Sequence, residues 1–264
     1  MAVYNEERHL EACLSSLTQQ SYQPIELIVV DDGSKDQTRS IAAQFKEVVL
    51  VDSNSHAGAA PARNEGARQA RGEILVFLDG DMTFPPTFIE TLIAPMQDGH
   101  VMGTFTREIL VANGERRWAR AHMLGRNLPL HSHFRPDFPD RWENYRAIRT
   151  SAFWSVGGFD EIGHGEDVTV GRKLGQLAVV APGAVCYHYE PDNLLDIWAS
   201  ARWLGRGERI RERPNAWRDY TPWVSARRAA RLARSHRMPS LFIYRLVWDI
   251  GVLVGLMQGR SVAK

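Results

Sequence analysis

An apolar run, Ile74 to Leu78, leads without a break into Asp79, Gly80 and Asp81. In extended backbone, side chains two apart share a face, so both carboxylates can reach one ligand. Hard oxygen donors at this spacing suit Mg²⁺ or Mn²⁺, which keep part of their water shell and bind substrate phosphates as well. A second acidic pair, Asp31 and Asp32, closes the β-branched run "IELIVVDDGS". Its carboxylates are placed to accept from a nucleobase N–H or a ribose hydroxyl. A third pair, Glu166 and Asp167, opens the helical stretch "EDVTVGRKLGQL", and Arg63 in "GAAPARNEGAR" is a cation suited to a base or a phosphate. Read singly, each has an ordinary explanation as a turn, a helix-dipole partner or a solvated charge. Their arrangement along the chain argues for more.

The elements that must position these groups alternate in type. "IELIVVDD", "EVVLVD" and "EILVFLD" read as buried strands bounded by glycine and proline. Between and after them, "SKDQTRSIAAQF", "GAAPARNEGARQA" and "PPTFIETLIAPM" read as helices, the second with Pro61 in its first turn and Gly72 behind it. Such alternation from Ile25 to Met96 predicts βαβ units on a mostly parallel, twisted sheet flanked by helices, an α/β fold. Ligands of these sheets sit beyond the carboxyl ends of the strands, where "DDGS" and "DGD" both fall.

Residues 113–144 read as a long excursion with some helix. Within it, His131 and His133 have no matching cluster and are expected on the surface, with acceptor-loop chemistry as the alternative. "AVVAPGAVCYHYEP" reads as a strand pair or a bent strand ending in His188. With 44% apolar and 24% charged residues, disorder is not expected. Cys13 and Cys186 have no metal-like spacing and point to a reducing compartment rather than a disulfide framework. No signal peptide is expected ahead of "VYNEERHLE". From Ala201 onward there are fourteen Arg/Lys against four Asp/Glu, and five of the eight tryptophans lie from Trp198 onward. A helical, basic, Trp-rich extension of this kind favours an anionic bilayer surface.

Four stretches, "VYNEE", "VVDDGS", "ARNEGARQARGEILVFLDGDM" and "GGFDEIGHGEDVTVGRKL", stand in this order. Together they resemble family 2 glycosyltransferases of the GT-A fold over roughly residues 3 to 190. The resemblance implies a GT-A domain over residues 1–195, with a nucleotide-sugar half (1–110), an acceptor half (111–195) and an extension over 196–264. It implies a nucleoside-diphosphate pocket lined by Tyr4, Glu6, Asp31 and Asp32 with Arg63 close by, and Gly80 within the donor site. Asp79 and Asp81 would hold the cation with His188 beside it. Asp167 would be the general base and Glu166 its catalytic neighbour. Arg202 and Trp203 resemble the Arg-Trp pair of a processive-synthase signature, but Ala199 stands where that signature has glutamine, which argues against processivity. The arginines from Arg202 to Arg213, Arg206 among them, are candidates to reach the diphosphate.

The expected activity is therefore metal-dependent, inverting transfer from a nucleotide-sugar, a UDP-sugar first, to a hydroxyl of a glycan or lipid-linked acceptor. The diphosphate leaving group needs a divalent ion and nearby cations, and the acceptor hydroxyl needs a base. The expected location is cytoplasmic, peripheral at the inner face of the cell membrane, and nucleic acid is not an expected partner. Two other functions compete with this one. A sugar-nucleotide pyrophosphorylase would want a glycine-rich basic loop where this chain has "MAVYNEE". A non-catalytic nucleotide-sugar-binding module fits one departure from the family: the apolar strand usual before "VYNE" is reduced to Met1 and Ala2, so either the start is assigned too late in the sequence or the domain lacks this central strand.

Overall fold

The computed structural model describes residues 1–53, 56–207 and 215–258. Its strands are β1 (Ala2–Val3), β2 (Leu27–Asp31), β3 (Val48–Asp52), β4 (Ile74–Val76), β5 (Met82–Thr83), β6 (Gly103–Phe105), β7 (Ile109–Val111), β8 (Arg141–Trp142), β9 (Ala147–Arg149), β10 (Ala178–Val180) and β11 (Cys186–His188). Its helices are α1 (Leu10–Thr18), α2 (Thr38–Ala42), α3 (Ala59–Gln69), α4 (Phe88–Ile93), α5 (Arg117–Gly125), α6 (Thr150–Ser155), α7 (Thr169–Leu174), α8 (Leu194–Arg206), α9 (Pro222–Ser235) and α10 (Ser240–Gln258).

β1, β2 and β3 pair in parallel, as the βαβ reading requires. A second group runs β4-β9-β6-β10-β8, in which β9 is antiparallel to both β4 and β6. The sheet is thus mixed beyond β4. A third group runs β5-β11-β7, with β11 antiparallel to β5 and parallel to β7. Phe84, Phe88, Leu92, Met96 and Ile109 form one core cluster, and Phe77, Phe105, Phe153 and Phe159 form another.

The strand usual before the motif is present here as two residues. Ala2 and Val3 form β1 beside Val30 and Asp31, and Ala2 bridges to Asp79. Three ladder bonds hold it: Met1 N to Ile28 O, Val30 N to Met1 O and Asp32 N to Val3 O, at 2.7 to 2.9 Å. Val3 is buried between its neighbours. The strand therefore joins the two groups at the end that carries the acidic pairs. Behind it, β2 and β4 part around a cavity of about 660 Å³ lined by Leu27, Val29, Ile74 and Val76 among others.

The C-terminal helices pack on this body. α10 crosses α8 where neither helix carries a Cβ: one added to Gly255 would lie 2.1 Å from the Arg202 carbonyl, and one at Gly205 2.2 Å from that of Val252. By length and composition alone α10 is apolar enough to cross a membrane. One of its faces is nevertheless docked. Tyr244 is buried beside His122 of α5, and Asp249 is fully buried in an ion pair with Arg245 at 2.8 Å.

Candidate active site

Asp32 builds the first wall of the site. Its two oxygens accept from Ala57 N and Gly58 N at 2.9 and 2.8 Å, which fixes the start of α3. It also meets His56 Nδ1 at 2.9 Å, and His56 stacks on Tyr4 with centroids 3.8 Å apart. Asp32 is thus committed to the backbone of the α3 turn, while Tyr4 and the unanticipated His56 present a stacked pair of rings. Asp31 accepts from Ser34 N at 3.1 Å, closing the turn in which Gly33 adopts a positive φ of 79°.

One turn into α3, Arg63 spans two acidic segments. Its guanidinium donates to Asp79 Oδ1 at 2.8 Å and to Glu166 Oε1 at 2.7 Å. The next residue, Asn64, makes reciprocal bonds with the Phe159 backbone, both 2.9 Å. Through these contacts α3 registers the end of β4 against the loop that carries Glu166 and Asp167. Arg146 completes the clamp, donating to Asp79 Oδ2 at 2.9 Å and to Phe77 O at 3.1 Å.

Both Asp79 oxygens therefore face guanidinium groups rather than an open ligand position. Burial opposes ionisation of Asp79, but Arg146 and Arg63 outweigh it and hold its carboxyl well below the usual range. Burial raises the pKa of Glu166, against the opposing charge of Arg63. Asp81 is different. Its Oδ1 is buried with no hydrogen-bond partner among the described residues, and its Oδ2 lies 3.4 Å from His188 Nε2. Of the expected cation ligands, Asp81 offers the open oxygen, with His188 alongside. An orphaned, buried carboxylate oxygen at a strand end fits a hard divalent ion that keeps waters and takes phosphate oxygens. Between the two aspartates, Gly80 permits close packing. A Cβ there would stand 3.1 Å from Val3 and 3.3 Å from Glu6.

Asp167 accepts from Asn144 Nδ2 at 2.5 Å. Asp167, Asp79, Arg63, Arg146 and Asn144 line one small cavity of about 60 Å³. Asn144 and Arg146 were not anticipated from sequence. They lie two apart on the extended chain entering β9, and that spacing was the available signal. The Asp31 strand end is further off, with β1 between it and Asp79: two strand spacings, about 10 Å.

Helix α8 of the extension reaches the neighbourhood of the site. Trp203 of α8 packs on His164, just ahead of Glu166, with centroids 4.7 Å apart. On the same helix the Arg206 guanidinium donates to Gln258 at 2.7 Å, and the Arg202 carbonyl lies against Gly255. Arg209, Arg211 and Arg213 lie outside the described residues.

Against this geometry the comparisons are specific. The profile described as "Glycosyl transferase family 2" matches residues 1–162. The chain belongs to glycosyl transferase family 2. Glycosyltransferase AglE of Haloferax volcanii is 42% identical over 87 residues, 30% of this chain and 28% of that protein. The putative glycosyltransferase EpsH of Bacillus subtilis is 36% identical over 103 residues, 37% of this chain and 29% of that one. In each case the matched part is less than a third of the relative's length. Among solved structures, the mannosyltransferase PcManGT of Pyrobaculum calidifontis, in complex with GDP-Man and Mn²⁺, superposes with a TM-score of 0.58 at 20% identity, covering 97% of this chain and 84% of that one. S. aureus TarS 1–349 in complex with UDP gives 0.57 at 17%, covering 97% and 90%. These similarities establish the GT-A fold.

Proposed function

We propose that this member of the family transfers a sugar from a nucleotide-sugar, a UDP-sugar first, to a hydroxyl of a glycan or lipid-linked acceptor, inverting the anomeric centre. The observation that carries the proposal is the shared cavity. Asp167, which makes no ion pair with a guanidinium among the described residues, lines the same cavity as the Arg63–Asp79–Arg146 clamp. A base opposite a fixed cluster of cations is what direct displacement of a diphosphate asks for. Asp167 takes the proton of the attacking hydroxyl. Arg63 and Arg146 set the field in which the leaving charge grows, and the Tyr4–His56 rings and Asp31 meet the nucleoside. Asp81, with His188 beside it, would hold Mg²⁺ or Mn²⁺, which supplies charge neutralisation at the diphosphate. The complexes of structural relatives with UDP, and with GDP-Man and Mn²⁺, support this donor class.

A thermal-shift series tests the donor. UDP-sugars with Mn²⁺ at about 100 times their Kd should stabilise the protein by about 2.7 kcal/mol through mass action. That is a rise of several degrees in Tm, and it should shrink without the ion. A flat response to every nucleoside diphosphate and nucleotide-sugar would remove the proposal.

The C-terminal helices support attachment to an anionic bilayer surface. On α10 a stripe at Ile243, Leu246, Ile250, Leu253 and Met257 follows the 3-4 spacing of one helix face, and Ile243, Ile250 and Met257 are exposed. α9 carries exposed Trp223, Arg227, Arg231 and Arg234 at the spacing of a single face, the Arg227 guanidinium 4.7 Å from the Trp223 ring. Near anionic lipid each such cation contributes about 1 kcal/mol. Sedimentation with anionic vesicles at low salt is expected, and the Arg227→Glu/Arg231→Glu/Arg234→Glu variant should stay in the supernatant. Parent protein that never pellets would end the membrane part of the proposal.

A further inference from the structure

Asn144 reaches the cavity from a segment that is fixed on both flanks. On one side Glu143 lies against α7. A Cβ added to Gly171 would stand 2.1 Å from the Glu143 carbonyl oxygen, and Arg172 donates to the Glu143 carboxylate at 3.0 Å. On the other side Tyr145 is buried with its ring on Gly103 of β6, where a Cβ would lie 2.4 Å from a ring carbon. Its hydroxyl donates to Gln176 O, just past α7, at 3.1 Å. The next residue, Arg146, joins the sheet, its N–H donating to Thr104 O at 2.8 Å. Two glycines thus permit approaches that a side chain would block, and residues 143–146 are held against both the sheet and α7.

Asp167 is carried by the same α7 unit. It lies in the turn Glu166–Val168, which runs directly into α7, and Thr169 Oγ1 donates to Glu166 O at 2.6 Å. One unit therefore bears the carboxylate and also grips the backbone beside the amide that meets it. Asn144 Nδ2 donates to Asp167 Oδ2 at 2.5 Å, with no other side-chain bond to Asp167 among the described residues. The bond commits one oxygen and leaves Oδ1 for a proton. A guanidinium there would hold the carboxylate too, but would strip its basicity. At Asp79 burial opposes ionisation, yet Arg146 and Arg63 hold the carboxyl well below the usual range. A neutral amide fixes the direction and adds no counter-charge, which suits a general base.

We infer that Asn144 is a positioning residue for the transfer, acting through Asp167 by holding the carboxylate in the direction from which Oδ1 meets the attacking hydroxyl. The inference rests on the reading of Asp167 as the base. An unheld aspartate side chain divides its time among staggered rotamers. Misplacing a reacting group by about 1 Å costs on the order of 10²-fold in rate.

The assay is single-turnover release of UDP, with Mn²⁺ present, from the UDP-sugar that gives the largest thermal shift. Water serves as acceptor: its oxygen bonds the anomeric carbon as the bond to the diphosphate breaks, and its proton passes to Asp167. Asn144→Ala is expected to slow release by about 10²-fold, with donor affinity and Tm as in the parent. Asn144→Asp, of the same shape but lacking the N–H donor, repeats the measurement if the alanine variant melts early. The deciding variant places Asn144→Ala on Asp167→Asn. With no base left to hold, loss of the amide should add no further slowing, whereas independent contributions would multiply. Three results overturn the inference while the base assignment stands: Asn144→Ala and Asn144→Asp proteins as fast as the parent, donor binding weakened as much as release is slowed, or the full Asn144→Ala factor reappearing on Asp167→Asn. A parent that releases no UDP, or an Asp167→Asn protein that matches it, removes the base assignment and the inference with it.

Discussion

Asp167→Asn protein is expected to bind nucleotide-sugar as the parent does and to transfer about 10²–10⁴-fold more slowly, the usual contribution of a positioned general base. The substitution is nearly isosteric, and the amide oxygen can still accept from Asn144 Nδ2, the one side-chain hydrogen bond that Asp167 makes among the described residues. The Arg63 bridge to Asp79 and Glu166 is untouched, so the cationic wall of the cavity stays in place. What disappears is the ability to take a proton. Donor titration and single-turnover transfer, measured on the same preparation, separate the possibilities. Equal transfer by parent and variant would mean that the base is another group. A parent that binds donor and transfers nothing would favour the non-catalytic module. Turnover of nucleoside triphosphate and sugar phosphate, indifferent to the substitution, would favour the pyrophosphorylase.

Arg63→Met should cost about 3–5 kcal/mol, the range for removing one partner of a buried ion pair. Asp79 would keep Arg146, but Glu166, whose side chain is 5% exposed, would lose its cation. At about 2–4 °C per kcal/mol for a chain of this size, the melting temperature should fall by about 6–20 °C. Adding Glu166→Gln should return part of that loss, because a neutral amide can be buried without a counter-charge. A single variant that melts within a degree or two of the parent would show that the bridge does not hold α3 against the Glu166 loop. A double variant no better than the single would place the loss in packing instead.

Several features were legible before any coordinates. The runs around Val29, Val49 and Leu75 are β-branched or apolar and end in acidic residues, and their spacing with helical segments is a local property of the chain. α3 runs from Ala59 to Gln69 much as its proline and glycine signals predict. Other local signals were overridden. "SKDQTRSIAAQF" supports only the five residues of α2, because Asp36 turns back to bond Thr38 instead of opening a longer helix. The two residues ahead of the "VYNE" motif looked too few for a strand, yet neighbours on both sides supply ladder partners.

The sequence by itself determined the strand ends, the acidic pairs and the basic, Trp-rich tail, because apolar periodicity and charge are written residue by residue. Only the tertiary structure decided what each carboxylate meets. Asp79 is closed by guanidinium groups 16 and 67 positions away, Asp81 keeps an open oxygen, and His133, expected on the surface, joins Glu190 and His188. The physical reason is that Arg146 and His188 arrive through the long-range pairing of β9 with β4 and of β11 with β5. Such long-range pairings follow from the burial of whole strands, and the spacing of neighbouring residues carries no record of them.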